Sequence, residues 1–413
     1  MVLSTNAEME KSMLEALIKK KLNDQCISRI VTMAGKQPLS KGENYCSVIT
    51  FYRLETVLGS GEKCIRNLIM KVLPPSPEQS KFFQEYSFFK NEIIMYSQVL
   101  NAMNKLMEEH EDRREKLWCE MITYNPYDMV IFEDLRDKDY KMLNRKENLG
   151  FEHSMLVMQT LGRFHAMSKV LLTRGSIYKN DLSTYLFTAP LIINLCFKSS
   201  LMVFETVVKK SWGEKWKHLP AILQRAKDRV YDILTDLKQV DEKRFNVLCH
   251  GDCWTNNMLF KHVEGTETPC AVKYIDYQLS HYNSYAWDLT YFLYNATRPD
   301  IRRAKFQDFL KVYQSSLEYN LKYFNYKNDD IPTLKQIEDE MKRIKLFGFL
   351  LLISIHTMTT ADSTDAFDME KALSNPDNPS IGINADIYNE KFKKRIEDDV
   401  RTFIEEGIIS KDM

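Results

Sequence analysis

Between Cys26 and Pro74 the chain runs through three stretches, "CISRIVTM", "YCSVITFYRLET" and "CIRNLIMKVLP", rich in β-branched and aromatic residues. Such runs, bounded by turn-formers, predict strands. The segments between them, "AGKQPLSKGENY" and "LGSGEK", hold the glycines, proline and asparagine that turns use, so the three strands read as an antiparallel meander. Residues 8 to 22 instead repeat apolar positions at helical spacing and predict a first amphipathic helix. A longer helix is predicted from Pro77 to Met107, with Phe89, Ile93, Tyr96, Leu100 and Met103 on one stripe. Two further strands follow near "WCEMITYN" and "DMVIFEDLRD". Beyond them the pattern is mostly helical, broken by one β-hairpin: "NMLFKHV", the turn "EGTET", then "CAVKYIDYQ". The layout is α+β, a small antiparallel-sheet lobe over residues 1–134 and a larger, mainly helical lobe over 135–413. No internal repeat or low-complexity linker separates them, and "SNPDNPSIG" reads as one Pro/Asn-rich surface loop.

Composition narrows the class. The 413 residues are 44% hydrophobic and 28% charged, an ordinary globular mixture long enough for two lobes around a cleft. Lys plus Arg equals Asp plus Glu at 57 each, which removes the electrostatic case for nucleic acid or an anionic membrane as main partner. Eight cysteines are scattered without a C-x-x-C pair and read as reduced thiols. The N-terminal segment has no apolar core of a signal peptide, and "LFGFLLLISI" has only ten residues, too short to span a bilayer. A cytoplasmic protein is expected.

Lys71 stands in "LIMKVL" with apolar neighbours on both sides. Desolvating an ammonium is costly, so this lysine either snorkels to water from an edge strand or is held in a cleft by a carboxylate. Glu92 is a candidate partner: its helical neighbours Phe89 and Tyr96 put it on or beside the apolar face. Glu85 and Glu78 are alternatives. A strand lysine followed about twenty residues later by a helix glutamate is the pair that positions nucleotide phosphates in kinases.

The stretch "VLCHGDCWTNNMLF" sets Asp252 and Asn257 within one loop that enters a strand. Phosphoryl transfer to a hydroxyl needs an acid to accept the proton and a neutral oxygen ligand that helps to hold Mg2+. An Asx-rich turn is the plainer reading. Asp276 ends "AVKYID", the second strand of the hairpin that begins after Asn257, so the hairpin brings it back beside Asn257. Other readings are weaker. Cys249, His250 and Cys253 lack a fourth zinc ligand at sensible spacing, and no G-x-S-x-G elbow is present. His165 reads as a packed core histidine, Trp254 and Trp287 as pocket lining or packing, and Asp288 as a brace for the Asp252 loop.

"HGDCWTNN" resembles the H-G-D-x-x-x-x-N signature of the aminoglycoside phosphotransferase and choline kinase superfamily, which has the two-lobed protein-kinase-like fold. A closer resemblance, to the insect ecdysteroid kinase-like (CHK kinase-like) family, is carried in order by "KGENYCSV", "LIMKVLP", "FFKNEIIMY", "IFEDL", "LGRFHAMS", "HGDCWTNNMLF" and "IDYQLSHYNSYAWDLTYFL". The resemblance implies Asp252 as catalytic base, Asn257 and Asp276 as Mg2+ ligands, and Lys71 on the ATP phosphates with Glu92 as its ion-pair partner. It implies a hinge over Phe132–Leu135 that meets adenine through the backbone of Glu133 and Leu135. A loop containing Gly42, Asn44 and Ser47 would cover the phosphates, although the full G-x-G-x-x-G is absent there. Only eleven residues separate Asp276 from Asp288 and no A-P-E follows, which leaves little room for a peptide platform. The expected acceptor is a small hydroxylated molecule, an ecdysteroid by resemblance. Its pocket is expected in the helical lobe, over 185–245 and 300–413, with Tyr291, Phe292, Phe347 and Phe349 as candidate aromatics. The alternatives are a kinase for choline-like metabolites or plant toxins, and a catalytically silent hormone- or nucleotide-binding protein.

Overall fold

The meander forms as the alternation dictates. The computed structural model describes residues 11–12, 14–16, 29–36, 47–182, 185–362, 365–375 and 377–410. Strands β1 (Arg29–Lys36), β2 (Val48–Val57) and β3 (Lys63–Val72) are joined by β4 (Met121–Asn125) and β5 (Met129–Glu133) in an antiparallel sheet of order β1-β2-β3-β5-β4. Period-two alternation sorts the side chains by face. Tyr52, Leu54, Leu68, Met70, Met129 and Ile131 close a small core with Leu14 on one side. Ile49, Ile69, Lys71 and Phe132 turn to the other side, toward the cleft. The described parts of the first predicted helix, residues 11–12 and 14–16, are helical, and the rest lies outside the described residues, as do Gly42 and Asn44.

The helix expected from Pro77 to Met107 is broken. It runs as α1 (Pro77–Glu85), a left-handed Ser87 (φ 59°), α2 (Phe88–Ile94), one wide turn over Met95–Val99 and α3 (Leu100–Glu109). The predicted stripe of Phe89, Ile93, Tyr96, Leu100 and Met103 is buried throughout. The break has a use: Ser87 reorients the chain so that both Phe82–Phe83 and Phe88–Phe89 are buried.

In the helical lobe, α4 (Phe151–Thr173), α5 (Ser199–Ser211) and α6 (Leu219–Leu237) precede the segments that carry Asp252, Asn257 and Asp276. The helical run Pro190–Ser211 that ends in α5 has the length and apolarity of a membrane span, and half of it is buried inside the protein. Strands β6 (Lys141–Met142), β8 (Met258–His262) and β9 (Pro269–Tyr274) form one small sheet. Strand β7 (Asn246–Cys249) pairs with β10 (His281–Ser284) in a two-stranded ribbon absent from the sequence reading. Helix α7 (Ala286–Asn295) is buried on every side, as a central core helix must be, and α8 (Pro299–Tyr323) packs along α4.

Candidate active site

Lys71 lies on β3, an interior strand of the sheet, with only 4% of its surface exposed, so the edge-strand reading fails. Its Nζ donates to Glu92 Oε2 at 2.7 Å and to Asp276 Oδ1 at 2.7 Å, and to Gln278 Oε1 at 3.3 Å. Glu92 is therefore the partner; Glu78 and Glu85 face solvent. Burial alone would lower the Lys71 pKa, but the charges of Asp276 and Glu92 reverse that and raise it. Burial pushes the Glu92 carboxyl up, Lys71 pulls it down, and Asp276 adds to the rise.

The hairpin behaves as its alternation predicts. Met258 pairs with Tyr274, and Ile275 N donates to Asn257 O at 3.0 Å, so Asn257 and Asp276 flank the same end of the ladder. Asn257 Nδ2 donates to Asp252 Oδ2 at 2.9 Å and to Asp252 O at 3.0 Å. Both partners are acceptors, which fixes the amide orientation and leaves the Asn257 carbonyl oxygen for another ligand. The other Asp252 oxygen, Oδ1, accepts from Tyr291 Oη at 2.6 Å. Burial and the neighbouring Asp276 push Asp252 up to about 7, against the pull of Tyr291, Asn257 and Lys71.

The turn before Asp252 is held at every polar group. His250 N and Gly251 N donate to Asp288 Oδ2 and Oδ1 at 2.6 and 2.8 Å, so Asp288 does brace the loop. His165, fully buried, joins Asp288 Oδ2 at 3.0 Å to Tyr313 Oη at 2.9 Å. Burial would raise the Asp288 carboxyl, but the bonds from His165 and Gly251 and the nearby His250 hold it below its ordinary value. His250 Nδ1 accepts from Asp252 N at 3.2 Å, so Nε2 carries the proton given to Ile275 O at 3.0 Å. Both ring nitrogens are thus committed, and this histidine has no lone pair left for zinc. Gly251 (φ +86°) has no substitute: an added Cβ would sit 2.1 Å from Leu279 O.

Two cavities meet here. The first, between the lobes, is lined by Ile49, Ile69, Tyr96, Phe132, Glu133 and Leu135 as well as Lys71, Asn257 and Asp276. The Glu133 carboxylate turns away to Lys138 and to Glu120 N. Ser47 borders a separate cleft beside Pro74 and Phe367. The second cavity opens on Asp252 and Asp276, with Gln278 and Thr359 beside them, and is otherwise walled mostly by apolar groups from both lobes, including Phe82, Phe83, Phe88, Phe187 and Met358. Trp254 lines both cavities. Of the four aromatics expected around an acceptor, only Tyr291 reaches this space. Phe292, Phe347 and Phe349 are core, and Trp287 packs edge-on to Phe347 with centroids 4.6 Å apart. The expected pocket thus gains a wall from the sheet lobe that the sequence reading had not assigned.

Two residues at the site, Asn91 and Gln278, went unassigned in the sequence reading. Asn91 Nδ2 ties α2 to Gln278 O and Ser280 O at 3.0 and 2.8 Å, and Gln278 Nε2 touches Asp276 Oδ2 at 3.2 Å. Tyr291 was expected as pocket lining only. Its spacing was the available signal: Asp288 and Tyr291 are three apart on one helix and therefore share a face.

The residues present fit a divalent cation. Three carboxylates, Glu92, Asp252 and Asp276, face the single ammonium of Lys71 among the described residues of the site, so one cation leaves an excess of negative charge. Asp276 and the carbonyl of Asn257 are hard oxygen donors on the wall of the first cavity.

The sequence profile of the ecdysteroid kinase-like family matches residues 41–326. No curated protein matches the chain. Among solved structures, a GDP complex of a mutant aminoglycoside 2'-phosphotransferase-IIIa aligns at 11% identity over 95% of this chain and 98% of its own, with a TM-score of 0.41. The AMP-bound complex of spectinomycin phosphotransferase aligns at 10% identity over 85% of this chain and 98% of its own, with a TM-score of 0.33.

Proposed function

The chain belongs to the ecdysteroid kinase-like family, and from that premise we propose that it is an ATP- and Mg2+-dependent kinase that phosphorylates a hydroxyl of an uncharged, largely apolar acceptor of the ecdysteroid kind. One observation carries the reading: Lys71, Glu92, Asp276, Asn257 and Asp252, drawn from four separate stretches of sequence, come together where two cavities meet, Lys71 bonded to Glu92 and Asp276, Asn257 bonded to Asp252, and the Ile275 N bond to Asn257 O setting the two groups side by side.

The first cavity takes the nucleotide, with adenine against the backbone of Glu133 and Leu135 and the phosphates toward Lys71. Ser47 and, beyond the described residues, Gly42 and Asn44 belong to the loop that would cover them. Asn257 and Asp276 would hold Mg2+, which when bound neutralises charge on the transferring phosphoryl group. Asp252 accepts the proton of the acceptor hydroxyl; a base pushed up to about 7 is matched to work near neutral pH. Lys71, kept charged by its two carboxylates, meets negative charge on the nucleotide without reorganising. The protein's main contribution is placement, since an in-line transfer depends on holding the two oxygens in register.

The second cavity supports the acceptor class. Asp252 and Asp276 are the only charged residues lining it among the described residues, and the rest of its lining is mostly apolar. An aminoglycoside-like polycation would want more carboxylates. A rigid apolar alcohol buries its skeleton against Phe82, Phe83 and Phe187 and offers one hydroxyl to Asp252.

The test is ATP- and Mg2+-dependent phosphate transfer to ecdysone and to a panel of other hydroxylated compounds, choline included, by wild type and Asp252→Asn. Transfer to an apolar alcohol that drops by about 10^2- to 10^4-fold in the variant is the expected result. Transfer to choline alone, or none to any compound while ecdysone still raises the melting temperature, would refute the reading, the latter in favour of a silent binding protein.

A further inference from the structure

The base has two carboxylate oxygens, and each accepts a hydrogen bond from a neutral side chain. Oδ2 takes Asn257 Nδ2 at 2.9 Å and Oδ1 takes Tyr291 Oη at 2.6 Å. A planar carboxylate held at both corners has one orientation. The Asn257 bond is local, five residues along the same loop, and moves with it. The Tyr291 bond comes from thirty-nine residues away and from α7, whose ten residues are all buried. It ties the base to a helix packed on every side within the lobe. Asp288, three residues earlier on the same helix, grips the backbone of His250 and Gly251. One helix face therefore fixes both the turn and the carboxylate at its tip.

Tyr291 also has a second surface. Its ring is a wall of the apolar cavity and lies tilted on Phe187, with centroids 5.7 Å apart. Its oxygen meets the base while its ring meets the space where the acceptor's skeleton would lie. A carboxylate oxygen has two lone pairs, so Oδ1 keeps one for the acceptor hydroxyl after Tyr291 has taken the other. The reacting hydroxyl then sits beside the phenol oxygen, and the carbon that bears it lies against the Tyr291 ring.

Resting on the kinase reading above, we propose that Tyr291 is the positioning residue that aims Asp252 at the acceptor and selects which hydroxyl of a polyhydroxylated molecule is presented. The proposal separates two roles that one substitution each can isolate. Tyr291→Phe keeps the ring against Phe187 and removes only the donor. Tyr291→Leu removes the flat wall as well.

The experiment measures steady-state transfer by the full chain, with ecdysone as the polyhydroxylated probe, together with crystal structures of wild type and Tyr291→Phe. In the Phe variant kcat is expected to fall about ten- to a hundred-fold while KM for ATP and for the acceptor stay within about twofold. The crystal should show the Asp252 carboxylate turned from its wild-type orientation. In the Leu variant KM for the acceptor should rise as well, and phosphate should appear on a second hydroxyl. If the Phe variant keeps kcat within about twofold and Asp252 in place, Tyr291 is only wall and the proposal is overturned. If wild type transfers phosphate to no acceptor, the kinase reading falls, and the crystals still decide this point: a turned Asp252 upholds the hold exerted by Tyr291, and an unmoved one refutes it.

Discussion

Asp276 borders both cavities and Asp252 the second, so the two stand at one mouth, yet their surroundings differ in kind. Asp276 is paired with an ammonium, Lys71, at 2.7 Å. Asp252 has only neutral donors, Tyr291 and Asn257, and burial pushes it up to about 7. Asp276 brings hard carboxylate oxygens to the wall of the first cavity, the donor type that a divalent metal takes. A carboxylate with neutral donors and a like charge nearby is suited to take up a proton. The two aspartates differ in partner type, with the residue type held constant.

The largest effect should come from removing the cation that makes the two differ. Lys71→Met leaves Glu92 and Asp276 without their common partner in a buried place, and should lower unfolding free energy by about 3–5 kcal/mol in urea titrations and abolish ATP binding. Unchanged stability would mean that the triad is not closed in solution.

The second effect concerns pH and belongs to Asp252. Its folded pKa lies above its unfolded value, so between about 4 and about 7 the folded state binds more protons than the unfolded one. The contribution to stability is complete below that window and is lost as pH rises through it, by up to about 1.4 kcal/mol per pH unit. Asp252→Asn in Mg2+-free buffer should make that slope shallower without loss of fold at neutral pH, the raised Glu92 carboxyl keeping the remainder. An identical slope in the variant would assign the effect to another group.

The smallest effect should come from Glu92→Gln. The amide oxygen still accepts from Lys71, and Asp276 remains as counter-charge, so stability should change by about 1 kcal/mol. The comparison sharpens if nucleotide affinity falls nonetheless, because Lys71 would then be held by one carboxylate instead of two.

Much of this was legible along the chain where the governing physics is short-ranged. The hairpin that returns Asp276 to Asn257 follows from strand alternation and a turn-rich "EGTET", and the ladder pairs Met258 with Tyr274 accordingly. The stripe on the helix after Pro77 was legible for the same reason, and all five of its residues are buried. The break at Ser87 was not, because a left-handed serine carries no periodic signal. Nor was the wall of the second cavity: three phenylalanines of the sheet lobe line it, while Phe292, Phe347 and Phe349 went into the core. An apolar helical residue looks the same in sequence whether it faces a cavity or a neighbour.

The residue order by itself determined which polar groups enter apolar surroundings, their order along the chain, and the loop that sets Asp252 five residues before Asn257, because these depend on side-chain type and on contacts within a few residues. Tertiary structure alone decided that Glu92 and not Glu78 or Glu85 meets Lys71, that Tyr291 reaches back thirty-nine residues to Asp252, and that Gly251 lies too close to Leu279 for any side chain. Those outcomes depend on which buried polar group finds a partner across the packed interior, and that choice is made only when distant segments are brought together and water is excluded.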